Sequence, residues 1–154
     1  MTETDTRGAD FLKSRIRHVP DFPKPGILFY DITTLLGDPD GFEAMVDELA
    51  RPFEGVEIER VVGIESRGFI LGAAVADRLG AGFCPIRKPG KLPAPSIRES
   101  FQLEYGSDAI EIHKDAIVAG QRVLIVYDVL ATGGTARAAA TLDRQLAGNL
   151  HALM

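Results

Sequence analysis

Apolar positions fall in two rhythms along this chain. Continuous apolar runs with β-branched members, at residues 60–64, 82–87 and 123–126, have the pattern of strands buried on both faces of a parallel sheet. Elsewhere the spacing changes to three and four. Phe42, Met45, Val46, Leu49 and Phe53 predict a helix over 40–53, which Asp38 or Asp40 can cap. An alanine-rich helix over 69–79 closes at Gly80, and another runs over 134–146. A shorter helix over 9–17 places Phe11, Leu12 and Ile16 on one side. Residues 18–26 carry three prolines and read as a loop, followed by an extended piece at 27–30. Residues 96–105 and 109–113 predict an antiparallel pair that turns at Gly106-Ser107, and residues 149–154 can begin one more strand.

Strands alternating with helices imply an α/β fold, a central mostly parallel sheet flanked by helices and joined by right-handed crossovers. In such a sheet ligands bind beyond the carboxyl ends of the strands. Three predicted turns meet that rule, at 65–68, 87–91 and 128–135, and each carries groups suited to phosphate or ribose.

Composition narrows the classes. The 154 residues, 45% apolar and 25% charged, amount to one soluble globular domain with a sizeable core. A net charge of −5 argues against a nucleic-acid partner. The polar start MTETDTRGAD lacks the plan of a signal peptide, and no apolar run approaches the roughly 20 residues of a membrane span. The single cysteine, Cys84, excludes an intramolecular disulfide and fits a reducing cytoplasm. It sits in the apolar run 82–86 and reads as a buried strand thiol rather than a nucleophile. His18, His113 and His151 show no metal-ligand spacing and read as surface or structural groups.

The densest chemistry lies in VLIVYDVLATGGTARAAATL, residues 123–142. A buried strand leads to an acid, Asp128, then to the small turn Ala131-Thr132-Gly133-Gly134-Thr135, then to a helix. Backbone N–H groups at a helix start with small residues converge on an anion, and the two threonine hydroxyls add donors. It is no Walker A loop, because the Gly-Lys-Ser/Thr ending is missing. Glu65-Ser66-Arg67-Gly68 likewise delivers a guanidinium to a strand-to-helix turn, a pairing suited to a diphosphate. Arg87, Lys88 and Lys91 crowd a loop around Pro89-Gly90.

These motifs, with Phe22 to Ile32 ahead of them, resemble the adenine-specific branch of the type I phosphoribosyltransferase family over residues 10–146. The resemblance implies that family's fold: a small N-terminal hood at about 18–35, a flexible lid at about 88–105, and a turn at 127–135 that binds 5-phosphoribosyl-1-diphosphate (PRPP), all within one domain. It implies conversion of adenine and PRPP to AMP and diphosphate, with Mg²⁺, in a cytoplasmic homodimer. Ser66, Arg67, Lys88, Lys91 and Tyr105 would face the diphosphate, with Arg87 near a neighbouring subunit. Tyr127, Asp128 and residues Ala131, Thr132, Gly133, Gly134 and Thr135 would hold the ribose phosphate, Asp128 also placing the metal through water or substrate. Leu28 and Phe29 would read and stack on adenine beside Tyr30, and Glu104 would act as general acid/base next to the base.

Three features depart from the family pattern. Tyr127 stands where a second acid is usual, and a phenol supplies one hydrogen bond but no carboxylate; weaker handling of PRPP or Mg²⁺ is expected. Tyr30 replaces an arginine in the hood. The family also continues beyond Met154, so an incomplete edge strand and less cover for the site are expected. Two alternatives remain open at this point: a non-catalytic PRPP- or nucleotide-binding regulator of the same fold, and a phosphoribosyltransferase for another purine base.

Overall fold

The structure, a computed structural model, describes residues 3–103 and 105–154. The chain divides into two compact units, Met1–Pro52 and Phe53–Met154. The expected hood falls in the first; the expected lid and turn fall in the second.

The first unit contains α1 (Glu3–Ser14), β1 (Arg17–Pro20), β2 (Leu28–Asp31), α2 (Thr33–Leu36) and α3 (Pro39–Ala50). The predicted loop over 18–26 thus begins as a strand. β1 pairs antiparallel with β2, Arg17 opposite Asp31 and Pro20 opposite Leu28. Pro20 is compatible with this because it occupies the last position of a two-stranded ribbon. Asp31 ends β2 and starts α2 in one stroke: its Oδ1 accepts the Thr33 backbone N–H (2.9 Å) and hydroxyl (2.7 Å). Four residues are too few to show a period, so α2 leaves no trace in the sequence pattern. α3 follows its predicted spacing, but neither aspartate caps it. Asp38 occupies the cap position without a side-chain cap bond; its carboxylate is engaged by Arg15 instead. Pro39 fills the first helical turn, where a missing N–H costs nothing. The helix ends at Ala50, and residues Arg51–Phe53 form a 3-10 turn around Pro52 rather than a continuation of the helix.

The second unit is built on β3 (Arg60–Ile64), α4 (Arg67–Leu79), β4 (Gly82–Ile86), β5 (Ser96–Gln102), β6 (Ser107–His113), β7 (Arg122–Val126), α5 (Gly134–Gln145) and β8 (Asn149–Leu153). Four strands form a parallel sheet in the order β4-β3-β7-β8. Val62, Ile64, Ile86, Val123 and Ile125 pack on one side with Ile110 and Ile112 of β6 and Leu142 of α5, each 2% exposed or less. Cys84 lies in this cluster, and burial pushes its thiol up to about 12; the expected inert strand thiol is what the fold contains. α4 begins two residues earlier than its apolar spacing predicts and closes at Gly80 in the left-handed conformation (φ +67°), as expected.

Besides its packing in the core, the antiparallel pair β5–β6 is tied to the sheet by an isolated backbone bridge. Arg87, just past β4, exchanges two backbone hydrogen bonds with Glu111 of β6, 2.9 and 2.8 Å. That bridge anchors one end of the basic segment 87–91. The last strand pairs along β7 with a register shift at Val123/Leu124, and the Tyr127 N–H donates to Met154 O at 2.8 Å.

Candidate active site

Glycines decide how closely α4 approaches the sheet. A Cβ on Gly68 would stand 2.9 Å from Val126 O, and one on Gly63 only 2.5 Å from Gly68 O. Without side chains at these positions, the first turn of α4 lies directly against the carboxyl ends of β3 and β7. Arg67 opens that turn, and Asp128 lies two residues beyond β7. The approach brings Arg67 Nε to 2.5 Å from Asp128 Oδ2, with the carboxylate 8% exposed and the guanidinium 37%. Two motifs far apart in sequence therefore meet as an ion pair at the edge of the sheet.

The turn at 131–135 completes this edge. Gly133 takes the left-handed conformation (φ +81°) immediately before α5, a backbone shape that favours glycine. A cavity of about 110 Å³ is lined by the turn together with Leu103, Tyr127, Val129 and Leu130. Tyr127 is half-buried and packs against the core cluster beneath α5. Leu130, on the same lining, is 73% exposed.

The basic segment is wrapped in acids. Glu65 Oε2 accepts the Lys88 backbone N–H at 2.9 Å, and Arg87 Nε lies 3.4 Å from the same oxygen. Glu65 Oε1 accepts the Lys91 ammonium, and Asp108 Oδ2 that of Lys88. Glu111 Oε2 accepts the Gly90 N–H at 3.1 Å. Burial alone would raise the Glu65 carboxyl, but hydrogen bonds from Lys91 and the Lys88 N–H outweigh it and hold the group below its ordinary value. The Lys88 hydrogen bond, against some burial, does the same for Asp108. A carboxyl depressed in the fold contributes stability above its ordinary value and loses it as pH falls through the folded value. Protection of the amides of residues 87–91, taken relative to intrinsic exchange, should therefore change little from neutrality down to about pH 5, and fall once pH drops below the ordinary values of 4.5 and 3.8. Protection that persists unchanged to pH 3, beyond the intrinsic pH dependence of exchange, would show that these pairs do not hold the segment.

A family model described as "Phosphoribosyl transferase domain" matches residues 45–144. The adenine phosphoribosyltransferase of Acidobacterium capsulatum is 57% identical over 99% of this chain and 84% of its own length. The chain belongs to the phosphoribosyltransferase family. Solved members superpose closely. The Rhodothermus marinus adenine phosphoribosyltransferase does so with a TM-score of 0.89 at 53% identity, covering 96% of this chain and 84% of its own. The Saccharomyces cerevisiae enzyme, complexed with an imino-altritol bisphosphate and adenine, gives 0.87 at 41% identity, covering 97% and 90%.

Within this phosphoribosyltransferase fold, Ser66, Arg67, Arg87, Lys88, Lys91, Tyr127, Asp128 and the turn 131–135 all lie in the second unit, at the carboxyl edge of the sheet or on the segment leading to β5. Tyr105, at the tip of the β5–β6 hairpin, is 88% exposed. Glu104 lies outside the described residues. Leu28, Phe29 and Tyr30 lie on β2 of the first unit. There Phe29 meets Phe22 edge-on at 5.1 Å, and Tyr30 meets His18 in the same way at 5.1 Å. Sequence reasoning missed Glu65, Asp108 and Glu111 as organisers of the basic segment. Glu65 had a signal, an acid directly before Ser-Arg-Gly. Asp108 and Glu111 had none, because only the hairpin register and the Arg87 bridge bring them to the loop. Among the described residues, no group of three or more His, Cys, Asp or Glu side chains is placed to hold a metal ion, and no helix is long and apolar enough to cross a membrane.

Proposed function

We infer that this chain is an adenine phosphoribosyltransferase, a pentosyl-transfer enzyme that converts adenine and PRPP to AMP and diphosphate in purine salvage. The observation that carries the reading is the meeting of Arg67 and Asp128 beside the glycine turn that opens α5. It joins a cation for a diphosphate, a carboxylate for ribose hydroxyls and a helix start for a terminal phosphate along one edge of the sheet.

In the reaction the bond from the anomeric carbon to the base nitrogen forms, the bond to the diphosphate oxygen breaks, and the base loses its proton. The turn Ala131, Thr132, Gly133, Gly134 and Thr135 grips the 5′-phosphate through backbone N–H groups and hydroxyls, which fixes the sugar for displacement. Asp128 accepts from ribose hydroxyls, and Tyr127 contributes a phenol where a second carboxylate would stand. Arg67, Ser66, Lys88, Lys91, Arg87 and Tyr105 receive the departing diphosphate, whose growing charge their donors stabilise. Leu28, Phe29 and Tyr30 read the base, and Glu104 handles its proton. A hard cation that keeps most of its ligands from water and phosphate asks little of the protein, and one acid beside a cluster of cations suits Mg²⁺ held largely by substrate oxygens. Asp128 would be its contact, through water or substrate. When bound, Mg²⁺ neutralises charge on the leaving diphosphate. A homodimer in the cytoplasm is the setting this reading entails.

The test is diphosphate release from PRPP with adenine, guanine, hypoxanthine and xanthine in turn. Release with adenine alone is expected. Release with another base at equal or greater kcat/KM would overturn the adenine assignment. No release with any base, alongside intact PRPP binding, would overturn the enzyme reading and favour a regulator.

A further inference from the structure

The transferase reading leaves Glu65 without a role, yet both of its carboxylate oxygens are engaged by the basic segment. One oxygen takes the Lys88 backbone N–H at 2.9 Å with Arg87 Nε at 3.4 Å, and the other takes the Lys91 ammonium. Its side chain is 15% exposed, whereas those of Arg87 and Lys91 are 35% and 44% exposed. The acid is fixed at the end of β3, and the cations come to it from a segment tied to the fold at Arg87. Glu65 also immediately precedes Ser66 and Arg67, whose turn is the proposed diphosphate cradle. Two oxygens on one centre, gathering an ammonium, a guanidinium and a backbone N–H, present the same acceptors that a phosphate presents.

We infer that Glu65 is a positioning residue that stands in for the diphosphate in advance: it holds Lys91 and the Lys88 N–H beside the cradle, and gives Lys91 up to the diphosphate of PRPP. This rests on the PRPP reading above. A diphosphate carries more negative charge than one carboxylate, so it takes the ammonium by exchange. Lys91 keeps an anionic partner before and after, which spares the cost of gathering a flexible cation at the moment of binding. The exchange has a second consequence. Part of the diphosphate's attraction for Lys91 is offset by the lost Glu65 contact, which keeps product binding weak enough for release.

The experiment is calorimetric titration of inorganic diphosphate and of PRPP, with Mg²⁺, into the wild-type protein, Glu65→Gln, Lys91→Met and the double variant, together with steady-state kinetics. Glu65→Gln keeps the shape and removes the competing charge. It should bind diphosphate about fivefold more tightly, the scale of one partly exposed ion pair. KM for PRPP and kcat should fall together as product release slows. The double variant should lose that gain, since the competition is for Lys91. Lys91→Met alone should bind diphosphate about tenfold more weakly. Unchanged or weaker diphosphate binding by Glu65→Gln would overturn the inference. If Glu65→Gln does not fold, Lys91→Met decides: undiminished diphosphate affinity there would overturn it equally. Wild-type protein that binds neither diphosphate nor PRPP would instead overturn the underlying reading, a distinct result.

Discussion

Asp128→Asn should lower kcat/KM for PRPP by about a hundredfold while leaving the fold in place, an effect of ~3 kcal/mol expected of a charge-assisted hydrogen bond. Asparagine preserves the shape and one acceptor but removes the charge. Asp128 is 8% exposed and stands 2.5 Å from Arg67 Nε, so its charge both fixes the guanidinium and, in the proposed role, binds ribose hydroxyls. The stability side is small because Arg67 is 37% exposed and can recruit water once the carboxylate is gone. Kinetics and melting therefore separate the two contributions. A loss concentrated in kcat marks interactions made in the transition state, and a loss confined to KM marks uniform binding. A variant within about threefold of wild type would show that the acid beside the turn takes no part in the chemistry.

An acidic chain proposed to bind a polyanion presents an apparent contradiction that the edge of the sheet resolves. The net charge of −5 describes the whole surface, whereas recognition depends on the local field. Arg67, Arg87, Lys88 and Lys91 concentrate positive charge at one edge, and Asp128, Glu65 and Asp108 pair with it there. The paired arrangement holds long, flexible cations in place without leaving a strongly positive patch. Its anionic members are also the acids on which substrate would have to act by exchange or by direct contact.

The parallel strands and the helices of the second unit were legible because burial on both faces leaves unbroken apolar runs, and one-sided burial leaves a helical period. The turn at 131–135 was legible as a strand-to-helix connection for a different reason: its adjacent glycines permit the left-handed backbone that Gly133 adopts before α5. Legibility failed where structure depends on partners distant in sequence. Residues 17–20 become a strand only because β2 lies opposite. Asp38 fails as a cap because Arg15 claims its carboxylate. Asp108 and Glu111 reach the basic segment through the hairpin register, which no local pattern encodes. The packing of Tyr127 on the core cluster, beside the turn's cavity that it helps to line, was not legible.

Gly63→Ala should be among the most disruptive single-methyl changes in the second unit. The added Cβ would lie 2.5 Å from Gly68 O and 2.6 Å from Phe83 Cε2. Neither neighbour yields easily. Gly68 O belongs to the backbone of the first turn of α4, which is itself pressed against Val126 O, and the Phe83 ring is set edge-on against Phe69 at 6.3 Å. The helix must therefore back away from the sheet, carrying Arg67 away from Asp128. Overpacking of this kind costs about 1–3 kcal/mol, and for a chain of this size the melting temperature should fall by roughly 3–10 °C. Activity should fall further than stability, by about tenfold to a hundredfold, because displacements near 1 Å are costly in a positioned site. Gly82→Ala is the control. Its Cβ would meet Arg60 Nη1, the far end of a flexible side chain that can move aside. Melting within about 2 °C of wild type and near-normal turnover are expected there. If Gly63→Ala behaves like Gly82→Ala, the contact between α4 and β3 does not set the position of Arg67. If it separates as expected, the ion pair at the edge of the sheet depends on a missing methyl group in the middle of it.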